Sequence, residues 1–225
     1  MVVSSRDVLA RLDHTVPELV ISSLQAVPPG EPVPARPAAS VVLLRDHGDV
    51  METYALQRHS RMAFAPGMVV FPGGRVDPAD GALMVDPGIG DRAILACAVR
   101  ETLEETGVRL ILDDLRPWAH WITPESEPRR YDTFFYLAAQ PEGQQAADIS
   151  GETSSAQWST PSALLAAADT GEIAMLPPTR SILIELSAFG SVADALASAT
   201  DRIVETVLPR AVEGPDGWIF EYEGI

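Results

Sequence analysis

DRAILACAVRETLEETGV, residues 91–108, is the stretch on which the fold turns. Asp91 is an N-cap residue type and Gly107 a C-cap type, so the spacing predicts a helix over 91–106 of about four turns. Glu101, Glu104 and Glu105 stand at i, i+3 and i+4 and share one face, with neighbouring Cβ atoms about 5 to 6 Å apart. Leu95, Ala96, Val99 and Leu103 are expected to form the buried stripe opposite. Three carboxylates this close repel unless protons or a cation compensate, and an oxygen-only donor set favours Mg2+ or Mn2+ over zinc. Three glutamates on their own also describe a solvated acidic face. The surrounding sequence has to decide between the two.

The chain has 225 residues, 46% of them hydrophobic, which suits one well-packed domain with extensions. A net charge of -16 argues against a nucleic-acid partner, because Lys and Arg supply most of that affinity. An acidic protein that handles phosphates needs a local counter-charge, and a divalent cation supplies one. No apolar run approaches the roughly 20 residues of a membrane helix. The opening MVVSSRDVLARLDHT lacks the basic-then-apolar order of a secretory signal. Cys97 is the only cysteine, which excludes an intrachain disulfide and a thiolate metal cluster. These features give the expectation of a cytoplasmic protein.

Outward from the helix, the chain divides into residues 1–37 and 38–225. The first part carries apolar residues at mostly helical intervals over 4–26, interrupted by Pro17, and then VPPGEPVPARPA, an extended connector. SVVLLRD and VMETYALQRH flank a turn at His47 and Gly48 and read as paired strands. Residues 117–123 and 131–139 read as strands, the second apolar on both faces and hence central. A strand ending at Gln157 and Trp158, helices opened by Pro161 and by LPPTR, and a hairpin turning at 214–217 complete the pattern. Strands interleaved with helices imply an α/β or α+β layered domain.

The loop before the helix is FPGG, Phe71–Gly74. Gly74 followed by Arg100, Glu101, Glu104, Glu105, Gly107 and Val108 resembles the Nudix box, G-x5-E-x7-R-E-U-x-E-E-x-G-U with U aliphatic. Gly74 and Arg100 stand 26 positions apart where the box has 14, so the intervening segment carries an insertion. The first glutamate of the box, which in the family braces the loop, has Asp80 or Asp91 as its stand-in. Thr102 replaces an aliphatic residue. The insertion's Asp77, Asp80 and Asp86 either approach the metals or keep an exposed loop soluble.

The resemblance implies a Nudix-type α/β/α sandwich with a mixed sheet, an N-terminal helical arm and a C-terminal hairpin. It implies an enzyme that hydrolyses the pyrophosphate of a nucleoside diphosphate linked to another moiety. Glu101, Glu104, Glu105 and the Gly74 carbonyl would hold Mg2+ or Mn2+, and Arg100 would steady the helix. Glu152, in a later loop, is a candidate general base or an exposed loop acid. A small-molecule nucleotide is the expected partner, with self-association as a homodimer left open.

YALQRHSRMAFAPGMVVFPGG adds a narrower resemblance, to coenzyme A diphosphatases of the family. Arg58, Gly67, Phe71, Pro72, Gly73 and Gly74 match their signature, while His59 and Ala63 depart from it. Coenzyme A or acyl-coenzyme A is therefore the expected substrate, with ADP-ribose, a dinucleotide or another nucleoside diphosphate derivative as the alternative. A Nudix-fold nucleotide sensor is the alternative outside enzymes. Arg58, Arg129 and Arg130 are candidates to hold phosphates with their forked guanidinium groups. Arg129 and Arg130 could equally pair at the surface with Glu125 or Glu127.

Overall fold

The computed structural model describes residues 8, 9, 12, 21, 31–62, 65–215 and 217–222. The expected helical arm lies largely outside the described residues. Of it, Leu9, Leu12 and Ile21 pack against the main core.

Strand β1 (Arg36–His47) runs into β2 (Val50–Arg58) through a tight turn in which Gly48 takes a positive φ of 62°. Then come β3 (Met68–Val70), β4 (Gly73–Arg75), α1 (Arg92–Thr106), β5 (Arg116–Ile122), β6 (Tyr131–Ala139) and β7 (Thr153–Ser159). The chain continues with α2 (Pro161–Asp169), β8 (Ala174–Met175), α3 (Pro177–Leu186), α4 (Val192–Ser198), β9 (Thr206–Val207), and the hairpin of β10 (Pro209–Gly214) and β11 (Gly217–Tyr222). Among the described residues one mixed sheet runs β8-β3-β2-β1-β6-β5-β9, with β4 attached to β1 and β7 to β2. β1 pairs in parallel with β6, which makes β6 central as its apolar sequence requires. β1 begins at Arg36, inside the expected connector, because Arg36 and Pro37 line up with Tyr131 and Asp132.

Two cores lie on opposite sides of this sheet. Val42, Leu44, Phe135 and Leu137 face one way, towards Leu183, Leu186, Ala195 and Phe220 of the C-terminal elements. Val41, Leu43, Phe134 and Tyr136 face the other way, towards Ile94, Cys97 and Ala98 of α1. The strand period of two places consecutive residues on opposite faces, so β1 and β6 serve both layers. Each fully buried aliphatic side chain there contributes about 1.5 to 3 kcal/mol. The result is an α/β/α sandwich.

Helix α1 is capped as expected: the Asp91 side chain accepts from Ala93 N at 2.8 Å, and Gly107 closes the helix in the left-handed region at φ 73°. Its buried face differs from the expected one. Ala93, Ile94, Cys97, Ala98, Thr102, Glu105 and Thr106 are buried, whereas Leu95, Ala96, Val99 and Leu103 are only partly so. The helix is rolled so that Glu105 turns inward, where a backbone donor meets it. Thr102 satisfies its hydroxyl inside this face by donating to Ala98 O at 2.7 Å.

Candidate active site

β4 joins β1 with Gly73 opposite Ser40 and Gly74 opposite Ala39. The turn into β4 is tied to β1, as Val41 N and Ser40 Oγ both donate to Pro72 O, at 2.8 and 2.9 Å. Both glycines are enforced by close approach. A Cβ on Gly73 would lie 2.4 Å from Ala39 O, and one on Gly74 would lie 2.3 Å from the Glu101 carboxylate. The carboxylate face of α1 is thus pressed against bare backbone.

Gly73 N–H donates to Glu105 Oε2 at 2.8 Å. Burial pushes the Glu105 carboxyl up to about 7; the Gly73 bond opposes this, the charges of Glu101 and Glu152 add to it, and Arg58 opposes it. Glu101 is also raised by burial, with Arg100 opposing. Arg100 Nη1 reaches Glu101 Oε1 at 2.8 Å and the exposed Glu104 Oε2 at 3.0 Å. Among the described residues, no three His, Cys, Asp or Glu side chains converge as metal ligands. The hydrogen bonds show why: Glu101 and Glu104 turn to Arg100, and Glu105 turns to Gly73. The Gly74 carbonyl accepts from Cys97 Sγ at 3.5 Å. Cys97 itself is inert, its thiol pushed up to about 12 by burial.

The structure separates the two stand-ins for the first box glutamate. Asp80 receives Arg100 through two hydrogen bonds, from Nε at 2.8 Å and Nη2 at 2.9 Å. Burial works to raise the Asp80 carboxyl, but the Arg100 contacts prevail and hold it below the usual value. Asp80 is the sixth residue after Gly74, the spacing the box requires of its first glutamate. Counting forward from Gly74 would have chosen it over Asp91. Asp91 caps α1 instead, Asp77 caps the short 3-10 turn at 78–80, and Asp86 is exposed, so the insertion's acids brace structure or face solvent.

A cleft of about 800 Å3 opens over this edge of the sheet. Its wall includes Arg58, Gly73, Gly74, Glu101, Glu105, Arg129 and Glu152. Glu152 is brought there by its loop: its carbonyl accepts from His59 N at 2.9 Å and its N–H donates to Ser150 Oγ. Arg130, one of the candidates to hold phosphates, is placed outside the cleft wall. It is buried, and its guanidinium donates to Thr123 O at 3.0 Å and Val33 O at 2.8 Å, joining the start of β6 to the segment before β1. Neither Glu125 nor Glu127 pairs with it. Glu104 lies outside the cleft wall, beside Arg100. The far wall, which sequence reasoning missed, comes from Leu176 to Thr179 at the start of α3 and from Pro209 and Phe220 of the hairpin. Apolar residues scattered over three late elements leave no local pattern to detect.

The family model of the NUDIX domain matches residues 34–179, a span that holds the glycine edge, α1 and Glu152. The chain belongs to the Nudix family. Among curated Nudix relatives it is 25% identical to the acyl-coenzyme A diphosphatase NUDT19 of Gallus gallus, over 75% of this chain and 70% of that protein. It is 30% identical to the putative nudix hydrolase 7 of Caenorhabditis elegans, over 68% of this chain and 60% of that protein. Among solved structures, the NUDIX hydrolase from Alicyclobacillus acidocaldarius matches with a TM-score of 0.63 and 25% identity, covering 73% of this chain and 96% of that one. The protein is thus a Nudix hydrolase, with Glu101, Glu104 and Glu105 of the box all present. The matched span ends at Thr179, so the hairpin residues in the cleft wall lie outside the Nudix domain match. Among the described residues no helix is long and apolar enough to cross a membrane.

Proposed function

We propose that this Nudix hydrolase cleaves the pyrophosphate bond of a nucleoside diphosphate derivative with Mg2+ or Mn2+, and that coenzyme A or an acyl-coenzyme A is its substrate. The observation that carries the reading is the two-ended cleft. Carboxylates and glycine backbone form one end, and the apolar residues Leu176, Pro177, Pro209 and Phe220 contribute to the remaining wall. A substrate with a charged diphosphate and a long, mostly neutral arm fits such a surface. The printed activity of the Gallus gallus relative supports the same substrate class.

The donor set fits a hard divalent cation. Burial raises the Glu105 carboxyl to about 7, so without a cation its charged form is disfavoured, a cost that a bound cation would relieve. Glu101, Glu104, Glu105 and the Gly74 carbonyl would hold the metal, which supplies charge neutralisation at the pyrophosphate and a more acidic water. Arg58 and Arg129, both on the cleft wall, bind and orient the phosphates. Glu152 takes the proton from the attacking water, since its loop carries it into the cleft beside Glu105. Arg100, locked on Asp80, keeps the helix carboxylates in place without touching substrate.

Mass spectrometry of products tests this, after separate incubation with coenzyme A, acyl-coenzyme A, ADP-ribose and NADH in the presence of Mg2+. The expected products from coenzyme A are 3',5'-ADP and a phosphopantetheine. Cleavage confined to ADP-ribose or NADH would overturn the substrate assignment and retain the chemistry. No cleavage of any of the four would overturn the proposal as stated.

A further inference from the structure

Glu152 reaches the cleft on an exposed loop, yet hydrogen bonds hold that loop on both sides. Ahead of Glu152, residues 144–149 run beside the end of α1. The Gln144 side chain accepts from Arg109 N at 2.7 Å and donates to Arg109 O at 3.0 Å. Ala147 N–H donates to Thr106 O at 3.0 Å, and Ile149 N–H donates to Glu105 O at 3.2 Å. Both carbonyls belong to the last turn of α1, where no donor of the helix itself is available to them. The loop thereby caps the helix and hangs from the backbone of Glu105, three residues before Glu152.

On the other side, β7 carries a bulge. Gln57 of β2 stands opposite Ser155 and Arg58 opposite Thr153, so Ser154 is the extra residue in the ladder. Ser154 Oγ donates to Gln57 O at 3.2 Å and pins the irregularity. Bulges re-aim the side chains beside them, and here Arg58 and Glu152 both contribute to the cleft wall. Asp148 joins the two halves of the loop. Its Oδ1 accepts from Ser150 N and from Ser150 Oγ, each at 3.3 Å, and its Oδ2 accepts from Thr153 Oγ1. Ser150 Oγ in turn accepts from Glu152 N at 3.1 Å. One carboxylate therefore grips the residue two places before Glu152 and the residue just after it, and orients the hydroxyl that receives the Glu152 amide. Asp148 itself stands outside the cleft wall.

We propose that Asp148 is the positioning residue for Glu152, holding Ser150 and Thr153 so that the Glu152 carboxylate stays within reach of the attacking water. This deepens the proposed function and rests on Glu152 being the base. A base on a slack loop spends most of its time out of line, and a misplacement of about 1 Å can cost about 100-fold in rate. The role belongs to the acceptor oxygens of Asp148 rather than to its charge. Asparagine keeps one acceptor for Ser150, and its amide can donate to Thr153 Oγ1, so it preserves the bracket.

Steady-state kinetics on coenzyme A and on ADP-ribose with Mg2+, set beside hydrogen–deuterium exchange of the full chain, test the assignment. Asp148→Ala should lower kcat about tenfold or more and leave KM within about twofold. Asp148→Asn should recover most of the loss. Exchange across residues 149–154 should quicken in Asp148→Ala and return towards wild type in Asp148→Asn. Wild-type kcat in Asp148→Ala, a change in KM alone, or a loss that Asp148→Asn shares in full would overturn the proposal. Glu152→Gln supplies the reference: in its background Asp148→Ala should add no further loss, because both act through one group. An added loss of similar size would show that Asp148 acts elsewhere, and would overturn the proposal. Wild-type kcat in Glu152→Gln would remove the base named in the proposed function and this inference with it. An impaired Glu152→Gln beside an unimpaired Asp148→Ala would remove the inference alone. Cleavage of neither substrate by wild type would overturn both.

Discussion

Arg100 and Asp80 form a two-point ion pair, Nε to Oδ1 at 2.8 Å and Nη2 to Oδ2 at 2.9 Å, that fastens α1 to the loop following Gly74. The Asp80 side chain is 3% exposed and that of Arg100 26%. Removing the carboxylate leaves a partly buried guanidinium with fewer partners. Asp80→Ala is expected to cost about 2 to 3 kcal/mol, less than a fully buried pair because solvent reaches Arg100. Asp80→Glu, which restores the family residue, should cost under about 1 kcal/mol. Urea denaturation measures both, and equal losses would contradict the bracing role.

Glu105 is buried and Glu104 exposed, yet the two are expected to agree in what they do for activity. If they are ligands, as proposed, Glu104→Gln and Glu105→Gln should each lower kcat/KM by at least about 100-fold, since supporting residues alone cost 10- to 100-fold. Circular dichroism should remain that of wild type. Undiminished turnover in both variants would reject the metal-site assignment.

Stability without metal should fall as pH rises through neutrality. The Glu105 carboxyl is raised from its ordinary 4.5 to about 7 in the folded chain. The folded state therefore holds the proton longer, so its contribution is complete below about 4.5 and is lost as pH climbs through 7. The full loss amounts to no more than about 3.4 kcal/mol, at 1.36 kcal/mol per pKa unit. In EDTA, melting curves of wild type from pH 5 to 8.5 should decline more than those of Glu105→Gln. Parallel curves would refute the assignment, and adding Mg2+ should stabilise wild type most at the alkaline end.

Adjacent glycines should fail in different ways. At Gly73 an added Cβ meets the Ala39 carbonyl at 2.4 Å, which is backbone and cannot yield, so Gly73→Ala should be poorly folded. At Gly74 it meets the Glu101 carboxylate at 2.3 Å, the end of a side chain that can swing aside. Gly74→Ala should fold and lose turnover. Soluble yield and melting temperature, set beside kcat/KM, separate the two cases.

Arg130→Ala should lower stability by about 2 to 3 kcal/mol, because two carbonyls lose charge-assisted partners. Arg129→Ala should leave stability within about 0.5 kcal/mol and raise KM. Exchanged phenotypes would restore Arg130 to the substrate.

The sequence disclosed the elements that carry local chemistry. Asp91 and Gly107 bounded the helix because caps act on their own chain, and the hairpin turns followed from glycine in the same way. The roll of α1 was hidden, since apolar residues flank its acidic face on both sides. The choice between Leu95, Val99 and Leu103 on one side and Ile94, Cys97 and Ala98 on the other was settled by the Gly73 N–H, which makes an inward Glu105 tolerable. Arg130 read as either a phosphate clamp or a surface partner of Glu125 or Glu127, because nothing local reveals that the carbonyls of Val33 and Thr123 lie within reach. The cleft's apolar wall was illegible for the same reason: Leu176, Pro209 and Phe220 meet only through tertiary packing.

The parallel pairing of β1 with β6 also sets the order in which the molecule can assemble. β2 and β4 follow β1 and can pair with it during synthesis, but residues 36–44 find β6 on their other side only when residues 131–139 have been made. Until then a highly apolar strand offers an open edge, the kind of template that recruits other chains. The crossover connection that brings β6 into the sheet also carries α1, so the acidic helix arrives before the strand that completes its floor. The nascent chain is therefore most exposed to misassembly between the synthesis of β2 and that of β6, a window that chaperone binding or translation speed would influence.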